Sequence, residues 1–151
     1  MKRILIFVLI FLTSCIQLPY ASFQNDSAFP DGLFQQALMA TEIASETNII
    51  LKDVHIHIYE DEQAFDDACP DIDGLGCTDG RSQFSVLGSF GHNFPEVSYA
   101  VAHQLGHIHY YTLFENMDGA HRHTEWFGEG GVVEKVYLYF FSEEASNKKT
   151  E

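Results

Sequence analysis

Two histidines, His103 and His107, stand four residues apart in AVAHQLGHIHYY, Ala100 to Tyr111. In a helix that spacing leaves the two imidazoles about 40° apart on one face, one turn from each other. Side chains so placed can share a single tetrahedral metal ion, zinc above all. The pair also has a second reading. Tyr99, Ala100, Tyr110 and Phe114 share the stripe, so the pair is expected to face the interior, and hydrogen bonds can satisfy buried imidazoles as well as a metal can. Gln104 follows the first histidine. Its amide can hold a water by hydrogen bond, but it does not accept a proton near neutral pH.

Downstream lies TEWFGEGGVVE, Thr124 to Glu134, with Trp126, Phe127, Gly128, Glu129 and Gly130 in sequence. This segment resembles the W-x-x-E-G motif of the gluzincin zinc metallopeptidases. In that family H-E-x-x-H is followed, after some twenty residues, by W-x-x-E-G on the next helix. The resemblance covers roughly residues 53 to 141, strong at the two motifs and topological elsewhere. It implies zinc as cofactor, with His103, His107 and Glu129 as its ligands, and a peptide or protein as the molecule recognised. Glu125, one turn before Glu129, is the alternative third ligand. Gly130 and Gly131 each cost a helix interior about 1 kcal/mol relative to alanine, a local violation of the kind that marks sites and close contacts.

The same resemblance puts Gln104 at the position of the general base. The family's glutamate there takes a proton from zinc-bound water and returns it to the leaving amine. Losing such a base typically costs about 10²–10⁴-fold in rate, yet Gln104 replaces no ligand. The first expectation is therefore a zinc-binding, metallopeptidase-like protein impaired in catalysis. Two alternatives stay open: an active zinc hydrolase using another base, Glu125 or Glu134, and a metal-free structural or interaction protein.

Other constellations carry less. The metzincin pattern needs a histidine six residues after His107, and Leu113 stands there. His55 and His57 share a strand face that is expected to be solvated, although H-x-H can chelate. His121 and His123 lie in the connection between the two motifs, near enough for one to stabilise an oxyanion. His109 is about 200° from His107 and points away. DIDGLGCTDG misses the calcium-loop spacing.

These residues require a frame. Asp31 to Ser45 has helical periodicity, and DVHIHIY alternates as a half-buried strand with Val54, Ile56 and Ile58 inward. EDEQAFDDAC reads as a short helix, and Ser82 to Phe90 as a second strand at a sheet edge. Pro95 suits the first turn of a helix running from about Glu96 to Phe114. A last helix is expected from Thr124 to about Glu143, apolar on almost every side and therefore buried. The fold class is α+β: a small zincin-like domain, a short sheet followed by an active-site helix and a second helix carrying the third ligand.

The chain has 151 residues and a formal net charge of −14. Its length favours one folded domain, and its acidity argues against nucleic acid or an anionic bilayer as an electrostatic partner. Lys2 and Arg3 precede an apolar run, Ile4 to Leu12, which is too short to span a bilayer and reads as a secretory signal. Leu12-Thr13-Ser14-Cys15 resembles the lipobox of bacterial lipoproteins. That resemblance implies cleavage before Cys15 and a lipid anchor on it, and Ile16 favours the outer membrane. Export lets Cys69 and Cys77 pair across CPDIDGLGC, a bond that would stabilise by roughly 2–3 kcal/mol. The expected division is signal 1–14, tether 15–28, metallopeptidase-like domain 29–143 and tail 144–151.

Overall fold

The computed structural model describes residues 22–70, 74–88, 92–116 and 119–147, with side chains through residue 142. Residues 1–14, expected as a signal, Cys15, and residues 148–151 of the expected tail 144–151 lie outside them. The domain is α+β, as its sequence pattern indicates. In chain order the elements are β1 (Ser22–Asn25), α1 (Gly32–Ser45), β2 (His55–Tyr59), α2 (Glu62–Ala68), β3 (Gly76–Thr78), β4 (Gln83–Leu87) and α3 (Phe94–Phe114). A 3-10 turn (Ala120–Arg122), α4 (Thr124–Phe127) and α5 (Val132–Asn147) follow.

The strands form one mixed sheet in the order β1-β2-β4-β3, in which β1, β2 and β4 run parallel and β3 is antiparallel to β4. Alternation sorts its faces. Ile56, Ile58, Phe84 and Val86 are fully buried on the inner face, where α1 and α3 cover them. His55, His57 and Gln83 point outward, and α2 covers part of that side through a small cluster of Phe65, Cys69 and Leu87. Cys69 and Cys77 are bonded, tying the end of α2 to β3.

Four expectations about the elements change. Segment 82–90 was expected at a sheet edge, but β4 lies between β2 and β3. The edges are β1 and β3, only four and three residues long, too short to show a period. The expected tether of 15–28 accordingly contains β1, with Phe23 packed against the core. The expected single helix from Thr124 divides into α4 and α5. Gly130 adopts φ +71°, a left-handed conformation that glycine takes without steric cost, so the glycines end one helix and admit the next. Finally, α5 buries one face only: Val132, Val133, Val136 and Phe140 are inside, whereas Leu138 is 52% and Phe141 53% exposed.

The helix carrying the histidine pair is fixed at its start by a reciprocal cap. Asn93 Oδ1 accepts from the Glu96 amide and Glu96 Oε2 accepts from the Asn93 amide, both at 3.0 Å. Such a box holds two donors that a helix end leaves free. Further along, Gly106 lets α4 approach. A methyl group there would lie 2.8 Å from Phe127 Cζ and 2.9 Å from Trp126 Cε3. Gly106→Ala should therefore force both rings outward and destabilise the domain by about 1–3 kcal/mol. Denaturant unfolding measures this; an unchanged midpoint would contradict the close packing of α4 on α3.

Candidate metal centre

The stripe on α3 faces a cleft more than the core. Tyr99 and Phe114 at its ends are exposed, and His103 and His107 are half-buried between them. The third contributor is His121, in the 3-10 turn that closes the connection after α3. His103 Nε2 and His107 Nε2 lie 3.1 Å apart, and His121 Nε2 is 3.0 Å from each. Among the described residues, these three form the group whose ligand atoms all lie within 4.8 Å of one another.

Phe127 is the floor of this triad. Its ring centroid is 5.0 Å from His103, 5.0 Å from His107 and 4.9 Å from His121. Trp126, the preceding residue, turns to the other side of α3 and stacks on His109 at 5.2 Å. The Trp-Phe pair thus straddles α3 at Gly106, and the histidines rest on the phenyl side.

The triangle suits a metal ion better than hydrogen bonds. An imidazole nitrogen carries one N–H or one lone pair, directed along a single line in the ring plane. Three such nitrogens cannot each serve two neighbours. One cation can accept a lone pair from all three, and nitrogens bound to zinc at about 2.0–2.1 Å lie roughly 3.0–3.4 Å apart. Protonation agrees. Burial, with the His121 charge second, lowers the His103 pKa to about 4; burial, with His103 and His121 behind it, does the same to His107. Both are neutral at pH 7, the form that ligates. With the Nε2 lone pair of His107 facing the triad, its proton sits on Nδ1, which is buried without a hydrogen-bond partner. Bonding at Nε2 would offset that cost.

Glu129, expected as third ligand, is not in the group. It lies exposed in the turn after α4, because Gly128 and Gly130 end the helix that would have aimed it at α3. Glu125, the alternative ligand, faces elsewhere. It accepts from Tyr110 Oη at 2.6 Å and lies 3.2 Å from His123 Nδ1. The tyrosine bond holds the Glu125 carboxyl below its usual range, and burial with the Glu125 contact holds the Tyr110 phenol protonated. Glu134 Oε2 accepts from the Gly130 amide, a structural bond at the start of α5. The sequence signal for His121 was the histidine-bearing connection AHRH, which returns within 14 residues of His107.

Gln104 is 6% exposed and turned toward β3. A Cβ on Gly76 would come within 3.0 Å of its Cγ and Nε2, so the glycine makes room for the amide. On the outer sheet face, His57 Nε2 meets Asp26 Oδ2 at 2.6 Å and His55 Nδ1 pairs with Ser22 Oγ. Those two histidines have separate partners and do not converge. Comparison with known protein families, with curated proteins and with solved structures finds no match.

The lowered histidine pKa values make a stability prediction. Between about 6.5 and 4 the unfolded chain binds protons at His103 and His107 that the folded chain does not, so stability is present above that window and is lost as pH falls through it. Metal-free protein should show a steadily falling Tm from pH 6.5 to 4, flattened in His103→Gln. A Tm independent of pH across that window would contradict the burial of the pair.

Proposed function

We propose that this chain is an exported, zinc-binding, metallopeptidase-like protein that recognises a peptide segment and is impaired in turning it over. One observation carries the reading: three imidazole nitrogens, from two turns of α3 and the connection behind it, meet at mutual distances of 3.0–3.1 Å. Three histidines with an open fourth position are a known zinc set. The gluzincin likeness of the two motifs supports the peptide reading, with His121 serving where that family uses a glutamate. The lipid anchor on Cys15 belongs to the same proposal and would hold the domain at a membrane surface, the outer membrane by preference.

Zinc bound there would lower the pKa of a coordinated water and polarise a carbonyl. The chain's own residues supply the rest. His103, His107 and His121 would hold the ion, Phe127 would exclude water from one side of it, and the gluzincin likeness assigns Gln104 the position from which a carboxylate would take the proton. An amide there orients by hydrogen bond but transfers no proton. A second reading rests on Glu125. Its carboxylate, four residues beyond His121, is ionised but held by Tyr110 and His123, and would have to leave them to serve as the base of a hydrolase.

Two experiments test this. Purified protein should carry about one zinc, retained in Glu129→Ala and lost in His121→Ala. The reverse pattern would restore Glu129 as the ligand, and metal-free wild type would remove the proposal. Gln104→Glu is isosteric and fits the same space beside Gly76. It should hydrolyse peptides about 10²–10⁴-fold faster than wild type. Equal rates, with Glu125→Gln inactive, would favour the second reading.

A further inference from the structure

The aromatic stripe on α3 continues past the metal-ligating pair. One turn before His103, Tyr99 lies beside it, with its ring centroid 6.1 Å from the imidazole. Tyr99 is 44% exposed, although α3 is otherwise largely buried. Tyr137 of α5 meets Tyr99 edge-on at 6.2 Å, and Phe141 stacks on Tyr137 at 6.0 Å. Leu75, leading into β3, lines the same cleft, and its carbonyl is fixed by the Leu87 amide at 2.9 Å. Leu75, Glu96, Tyr99 and Tyr137 together line a cleft of about 270 Å³.

Two features define what it would take. Its size is below the range of about 300–1,000 Å³ typical of whole small-molecule sites, which suits one side chain. Its lining is a leucine and two aromatic rings, with Glu96 as the charged member. That carboxylate is already committed: Oε2 accepts from the Asn93 amide and lies 3.5 Å from His92 Nδ1. A cationic side chain would find its counter-charge engaged, and an acidic one would be repelled by Glu96 and by the −14 charge of the chain.

We propose that the cleft of Leu75, Tyr99 and Tyr137 is a subsite for an apolar, preferably aromatic, side chain of a peptide bound at the metal centre. Tyr99 connects the two directly, because its ring contacts both His103 and Tyr137. Leu75, Tyr99 and Tyr137 are then specificity-determining residues contributed by three separate elements. The inference rests on the metal reading above, and its test keeps the two apart.

The probes are three hydroxamates of increasing reach: acetohydroxamate, 3-phenylpropionohydroxamate and 6-aminohexanohydroxamate. Each binds zinc through the same head group and offers the cleft a methyl, a phenyl or an ammonium. Affinities are measured by calorimetry on zinc-loaded protein, after metal analysis has established one ion per chain. The phenyl compound should bind at least about tenfold more tightly than the other two, in keeping with the discrimination of apolar pockets. Tyr137→Ala, folded and still zinc-loaded, should bring that ratio below about threefold while leaving acetohydroxamate unchanged; Tyr137→Phe should restore it. Equal binding of all three by zinc-loaded wild type, preference for the ammonium, or no binding at all would overturn the subsite. A ratio unmoved by Tyr137→Ala would do the same. A chain without zinc would instead remove the metal reading, and the subsite with it.

Discussion

Three imidazole nitrogens placed within hydrogen-bond distance of one another pose a problem of valence. Each has one directed lone pair or one proton, and the triangle asks each to satisfy two partners. His103, His107 and His121 are nevertheless held in that arrangement by everything around them. The capping box starts α3, Gly106 admits α4, and Phe127 lies against all three rings. Burial keeps His103 and His107 neutral, which spares the cluster charge repulsion and leaves donor lone pairs facing one point. A shared cation would relieve all of these constraints at once, and that economy is the main support for a metal centre here.

A metal shell and a catalytic machine are separable. Ligation needs neutral imidazoles at one distance, and hydrolysis needs in addition a group whose proton affinity suits transfer at working pH. Gln104 has the shape of a glutamate and fits closely against Gly76, but its amide lacks that affinity. The carboxylates nearby are otherwise engaged: Glu134 with the Gly130 amide, Glu125 with Tyr110 and His123, Glu96 with the start of α3. The proposed function as a binding protein follows from this distribution of acids as much as from the glutamine itself.

The long periodic elements were legible in the sequence. Helix α1 and strand β2 lie within a few residues of where their periodicity puts them, because each buries one face, and α3 lies where Pro95 starts it, although it is buried on most sides. The disulfide was legible too, from two cysteines flanking a turn-rich segment. Strands β1 and β3 were not, since four and three residues carry no measurable alternation and are held by their neighbours in the sheet. At the site, the helical spacing disclosed His103 and His107 but not their companion. Reading Gly128 to Gly131 as helix aimed Glu129 at α3; the glycines instead make the turn that leaves Glu129 in solvent. His121 reaches the pair from a connection, where side-chain direction follows from chain path and not from any period.

The third ligand distinguishes a histidine triad from a site completed by a carboxylate. Zinc-edge X-ray absorption on the purified, zinc-loaded protein counts imidazole rings directly through their outer-shell scattering. Three imidazoles and one light oxygen ligand are expected at the ion. Two imidazoles with a carboxylate, or zinc without imidazole shells, would contradict the histidine triad as its site.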